Sequence, residues 1–290
     1  MTGKTEALFE SYNMVIEGSY NKAFMSSENG DPFKVKEGAV LKYLEADVKE
    51  WERTPIQELG DRTPGEYMES IDDLETLMEL FKAGAVLCDR DLPRVLTNRL
   101  FHFGEMAENY LLEMVENVVK ADDVDAYYIF LISIRTLGIW KSSKAVSPLL
   151  DILRGCDDSD EQVMEEIQAA LVNIGVQAEG QLVEELNRSE EIDLYHEYIL
   201  LALADIGKHA KSEAIYRCLK NTFLKMENKI IGASALANYG DGRAIPALRG
   251  VIERNKETID VETFYELKTA VENLGGSIDD IAIPRFKKGF

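Results

Sequence analysis

The chain has 290 residues, 53 of them acidic and 32 basic, for a formal net charge of −21 at pH 7. That length suffices for an ample core, and a charge of this sign repels polyanions, which counts against generic DNA or RNA binding. The longest apolar run, residues 127–132, is far too short to cross a bilayer, and no secretory leader is readable at the start, so the cytoplasm is the expected location.

In chain order, residues 5–25 and 37–53 read as helices, separated by the breaker-rich Ser26-Ser27-Glu28-Asn29-Gly30-Asp31-Pro32. Thr54 with Gln57, and Thr63 with Glu66, have capping-box spacing. Pro55 and Pro64 stand at the favoured first helical position. Two short helices opening in tandem are expected, and the threonine-proline pairs read as helix starts rather than phosphorylation sites. Residues 72–86 read as a longer helix. Together residues 1–91 form a helical N-terminal module that would cap the open end of a repeat array in the remaining two thirds of the chain. Cys88, Cys156 and Cys218 have no metal or redox spacing and read as buried reduced thiols.

From residue 92 onward a register repeats six times. Its glycines are Gly104, Gly138, Gly175, Gly207, Gly240 and Gly275. Four residues before each stand Leu100, Ile134, Leu171, Leu203, Leu236 and Val271; immediately before stand Phe103, Leu137, Ile174, Ile206, Tyr239 and Leu274. Five before stand Arg99, Ser133, Ala170, Ala202, Ala235 and Ala270, small in every copy but the first. A period near 34 residues marks stacked repeats. In the fourth copy Ile199, Ala202, Leu203 and Ile206 share a helix face that Gly207 is expected to end, because glycine suits a left-handed helix terminus. After a short turn Ile215, Cys218 and Leu219 begin a second helix. Ala145-Val146, Leu182-Val183 and Ala244-Ile245 hold the equivalent place in other copies. Each unit is thus expected to be two antiparallel helices, a pair unable to cover its own apolar stripe.

The fifth copy is the most explicit: residues 233–248, Ala-Ser-Ala-Leu-Ala-Asn-Tyr-Gly-Asp-Gly-Arg-Ala-Ile-Pro-Ala-Leu, with Asp241 placed to cap the second helix. This stretch resembles HEAT repeats, in particular the short HEAT-like units of the phycobilisome-lyase type. The resemblance covers residues 92–283. It implies an all-α, right-handed α-α superhelix, a solenoid of about six helical pairs over residues 92–290, whose second helices line a concave surface.

Charge is unevenly laid along this region. Residues 157–197 hold thirteen acidic residues against Arg188 alone, whereas residues 208–254 hold nine basic and four acidic. A partner with basic and acidic patches of its own would be oriented by such a surface.

Chemistry is sparse by comparison. His196-Glu197 sits where deoxyhypusine hydroxylases, which are HEAT-like, place iron-binding His-Glu dyads. The other copies have no such pair, and one dyad cannot assemble an iron pair, so no metal or other cofactor is expected. HEAT-like DNA glycosylases are an alternative that the acidic balance opposes. A bilin lyase or chaperone, with Tyr195, Tyr198, Tyr216 and Tyr239 lining a groove, is another, though aromatics at helical spacing are more often core. No phosphate-cradling loop, paired-carboxylate motif or Ser-His-Asp arrangement stands out. The sequence therefore reads as a noncatalytic protein-interaction scaffold, with Lys144, Glu184, Arg217, Arg243 and Arg249 as candidate partner-binding residues on or beside the second helices.

Overall fold

The computed structural model describes residues 3–26, 38–117 and 123–281. They form an all-α fold, with no strand among the described residues beyond one isolated bridge between Ile56 and Arg62. No helix among them is long and apolar enough to cross a membrane. The chain divides into two compact units, Met1–Thr136 and Leu137–Phe290.

In the first unit, α1 (Gly3–Met25) packs along α2 (Ala39–Trp51) and against α4 (Leu74–Leu87). Leu8, Phe9, Tyr12 and Ile16 are buried at helical spacing on α1, and Trp51 stacks obliquely on Tyr12 at 5.0 Å. The short α3 (Pro64–Glu69) opens with the expected capping box. Glu66 N donates to Thr63 Oγ1 (3.1 Å) and Thr63 N donates to Glu66 Oε2 (3.0 Å). Thr54 does not cap a second such helix. Its hydroxyl donates back to the Glu50 carbonyl at 2.9 Å, and the chain makes only a 3-10 turn, Gln57–Leu59. The Ile56–Arg62 backbone bond (3.0 Å) closes that segment into a loop before a helix can propagate. The breaker-rich stretch, apart from Ser26, lies outside the described residues.

Helix α5 (Arg94–Phe101) packs on α3 and α4 and leads into α6 (Glu105–Glu116). Here Arg99 replaces the small residue of the register. Its guanidinium donates to the Ile71 carbonyl at 2.8 Å and pairs with Asp72 at 3.3 Å. A long cation thus meets a helix junction instead of a repeat neighbour.

The division between units falls inside α7 (Val124–Ile139). Beyond it the second unit is a two-layered array. One layer stacks α9 (Glu161–Ile174), α11 (Leu194–His209), α13 (Lys229–Tyr239) and α15 (Val261–Asn273), each on the next. The other runs through α8 (Val146–Arg154), α10 (Val176–Arg188) and α12 (Glu213–Lys225), with α14 (Ile245–Asn255) packed against α15. The register explains this arrangement. Leu171, Leu203, Leu236 and Val271 are each fully buried, as are Leu182, Ile215, Leu219 and Leu248 opposite them. Ala170, Ala202, Ala235 and Ala270 are buried beside them, where a larger side chain would hold the helices apart.

The register glycines divide into two kinds. Gly240 ends α13 in the left-handed conformation (φ 73°) that glycine adopts without steric cost. Gly207 does not end its helix: α11 continues to His209. A Cβ at Gly207 would lie 2.6 Å from the Tyr239 ring and 2.9 Å from Ile215 Cγ2. Gly138 likewise sits inside α7, where a Cβ would lie 2.7 Å from the Ala170 Cα. The missing side chain there serves helix approach rather than chain reversal.

Of the thiols, only Cys218 is fully buried, Cys88 and Cys156 being half-buried. Burial pushes the Cys88 thiol up to about 12 and that of Cys218 up to about 11.

Leu203→Ala is expected to cost about 2–5 kcal/mol of unfolding free energy, measured by denaturant titration. Gly207→Ala is expected to cost about 1–3 kcal/mol by overpacking. A neutral or stabilising Gly207→Ala would contradict the close approach of α11 to Tyr239.

Candidate interaction surface

A polar network of the second unit lies where α12, α13 and the turn before α14 meet. Tyr239 closes α13, and its hydroxyl donates to the Ser212 carbonyl at 2.9 Å. Tyr216 on α12 reaches the other way, donating to the Arg243 carbonyl at 2.8 Å. The two rings stack with centroids 6.4 Å apart. Both are buried, so desolvation raises both phenol pKa values and the hydroxyls stay neutral donors. Each aromatic thus joins one helical pair to the next through a main-chain acceptor.

Cations cover these rings. The Arg243 guanidinium lies 4.0 Å from the Tyr216 centroid and the Lys211 ammonium 4.0 Å from that of Tyr239. Arg243 is held in place by two carboxylates. Asp241, which caps the turn Gly242–Ala244, meets its guanidinium at 2.7 Å, and Glu213 meets it at 2.8 Å. Glu213 also accepts from Arg217 Nε at 2.8 Å. The Arg243 hydrogen bond, reinforced at Glu213 by Arg217, holds both carboxyls below their ordinary range.

The five residues singled out in the sequence are not all brought together. Arg217 and Arg243, from successive helical pairs, do meet on Glu213. Arg249 on α14 is turned toward the chain beyond α15, pairing with Asp280 at 2.6 Å and donating to the Ser277 carbonyl. Glu184 on α10 is paired with Arg188 one turn on. Lys144 stands exposed in the 3-10 turn Ser143–Ala145. Several other cations of the basic segment are engaged internally. Lys229 donates to the carbonyls of Phe223 (2.7 Å), Leu224 (3.1 Å) and Met226 (2.6 Å) at the end of α12, and desolvation lowers its pKa. Lys225 donates to the Ser189 carbonyl at 3.2 Å. These lysines satisfy carbonyls that helix ends leave open.

The tyrosines considered for a groove are mostly interior. Tyr195 is buried with its hydroxyl between Glu185 and Arg154, both at 3.0 Å. His196 is engaged at both ring nitrogens, Nδ1 by Asp193 at 2.5 Å and Nε2 by Ser189. Its neighbour Glu197 is raised by burial, with an Asn228 hydrogen bond opposing. Among the described residues there is no group of three or more His, Cys, Asp or Glu placed to hold a metal ion.

Two features were missed in the sequence. Glu213 stands one helical turn before Arg217, but its bridge to Arg243 has no spacing signal, because Arg243 comes from the following pair. Ser189, Asp193 and His196 also come together, an arrangement that did not stand out in the sequence. Only the Asp193–His196 spacing was visible, and it reads first as a helix cap. Protein-family models and curated protein sequences give no match to this chain.

Depressed carboxyl pKa values stabilise the fold above the unfolded-state range, and that contribution is lost as pH falls through the folded-state values. Arg243→Ala is therefore expected to destabilise the protein at pH 7, with the difference from wild type shrinking below about pH 4 as Glu213 and Asp241 protonate. Denaturant titrations at pH 7 and pH 3 check this; an undiminished difference at pH 3 would contradict the pairing.

Proposed function

We propose that the chain is a protein-interaction scaffold of HEAT-like design, which binds its partner along the layer carrying α8, α10, α12 and α14. The observation that carries this reading is the single surface made by Arg217, Glu213 and Arg243 across two helical pairs. Surface arginines on separate elements ordinarily move independently. Here both meet Glu213, and Arg243 is held further by Asp241 and by the buried Tyr216 ring beneath it, so less side-chain freedom remains to be lost on binding. Neither arginine is consumed, since the side chains of Arg217 and Arg243 keep 72% and 55% of their exposure.

On this layer the acidic segment faces solvent at Glu184 of α10 and at Glu190 just beyond that helix. A protein partner with an acidic patch for the arginine pair and a basic patch for this segment fits both. Complementarity of this kind sets orientation and association rate more than affinity.

The test is affinity capture from the source cells with mass spectrometric identification, comparing wild type with Arg217→Ala/Arg243→Ala. The double variant is expected to recover the specific partner about tenfold less well, equivalent to about 1.4 kcal/mol. Glu184→Lys is expected to weaken capture of the same partner, and added salt to weaken it further. Unchanged recovery by the folded double variant would refute the assignment of this surface.

A further inference from the structure

The link between α10 and α11 places three groups in the order used for acyl transfer. His196 Nδ1 lies 2.5 Å from Asp193 Oδ1, and Nε2 meets the Ser189 hydroxyl. The Asp193 backbone N–H also reaches Nδ1 as a donor at 3.4 Å; the carboxylate contact is much the shorter, and with the proton on Nδ1 it becomes the hydrogen bond. In the neutral imidazole this leaves Nε2 as acceptor for Ser189 Oγ–H. The hydroxyl has a second acceptor within reach, the Glu185 carbonyl at 3.1 Å. Nucleophile on Nε2 and carboxylate on Nδ1 is the polarity by which such a triad is recognised, whatever the fold or chain order.

The surroundings hold this arrangement. The imidazole is 12% exposed and lies edge-on to the Tyr195 ring at 4.9 Å. Tyr195 is itself fixed by Glu185 and Arg154, each 3.0 Å from its hydroxyl. Ser189 is half-buried, and its own carbonyl is tied to Lys225. Asp193 caps α11, accepting from His196 N at 3.2 Å. The capping box accounts for two of these contacts, His196 N on Asp193 Oδ1 and Asp193 N on His196 Nδ1; it does not require Nε2 to meet a serine.

We propose that Ser189 is an activated nucleophile, with His196 as its general base and Asp193 as the positioning residue, acting on neutral or cationic carboxylic esters. Exposed Glu190, Glu191 and Asp193 beside the serine disfavour anionic acyl donors. Ser189 Oγ bonds to the ester carbonyl carbon while its proton passes to His196 Nε2. The ester C–O bond then breaks and the proton returns to the departing alkoxide, releasing the alcohol. Water attacks the acyl-serine by the same proton route, giving the carboxylic acid and free Ser189. This reaction goes beyond scaffold binding, and partner capture does not depend on it.

The test treats the intact chain with an alkyl fluorophosphonate, in which Ser189 Oγ–P forms, P–F breaks and fluoride leaves. A single adduct mapped to Ser189 is expected by intact-mass and peptide analysis. It should vanish in Ser189→Ala and form at least tenfold more slowly in His196→Gln. Asp193→Asn separates capping from positioning, because asparagine caps as well as aspartate. Its labelling should slow at least tenfold at an unchanged melting temperature. Absence of an adduct under conditions that label a serine hydrolase to completion would overturn the proposal, as would equal labelling of Ser189→Ala. Wild-type labelling of Asp193→Asn or His196→Gln would overturn their roles.

Discussion

The second unit depends on how closely its helices approach. A helical pair with an apolar stripe on both members cannot bury that stripe alone, and each further pair supplies the missing cover. Contact at that distance needs small residues at fixed places. Ala170, Ala202, Ala235 and Ala270 line the approach within the layer of first helices, and Gly138 and Gly207 occupy points where even a methyl would collide. Aliphatic side chains four residues before the register glycine then fill the shared interior without exposure.

The polar seam arises from this packing. Once α13 lies against α11, Tyr239 is pressed over Gly207, and its hydroxyl finds a backbone acceptor in the preceding turn at Ser212. Tyr216 does the same in the other direction. Burial of two phenols without such acceptors would be costly. Arg243 and Lys211 cover the rings, Glu213 joins Arg243 to Arg217, and a surface pattern crossing two helical pairs results. The basic character of residues 208–254 is therefore partly structural: Lys225 and Lys229 serve carbonyls, and Arg249 anchors the segment after α15.

The interior was legible in the sequence because burial imposes periodicity. Leu203 and Leu236 announce themselves by recurring at a fixed distance from a glycine. The glycines were less transparent, since one letter serves two physical needs. Gly240 supplies a left-handed terminus, whereas Gly207 supplies space, and only the neighbour across the interface distinguishes them. Thr54 shows the same difficulty in the first unit: its spacing matches that of Thr63, but competition from the Glu50 carbonyl and closure of the Ile56–Arg62 loop decide the outcome. Side-chain constellations were least legible. Arg217, Glu213 and Arg243 meet through stacking, and Ser189 reaches His196 through the path of a loop.

Native-state hydrogen exchange on the full chain tests the shared interior most directly. Truncating Leu236 on α13 to alanine removes no atom of α11, yet α11 and α13 bury one another's apolar faces. The account predicts that amide protection in α11 falls together with that in α13, while α1 and α2 of the first unit keep theirs. Loss confined to α13, with α11 exchanging as in the wild type, would contradict it.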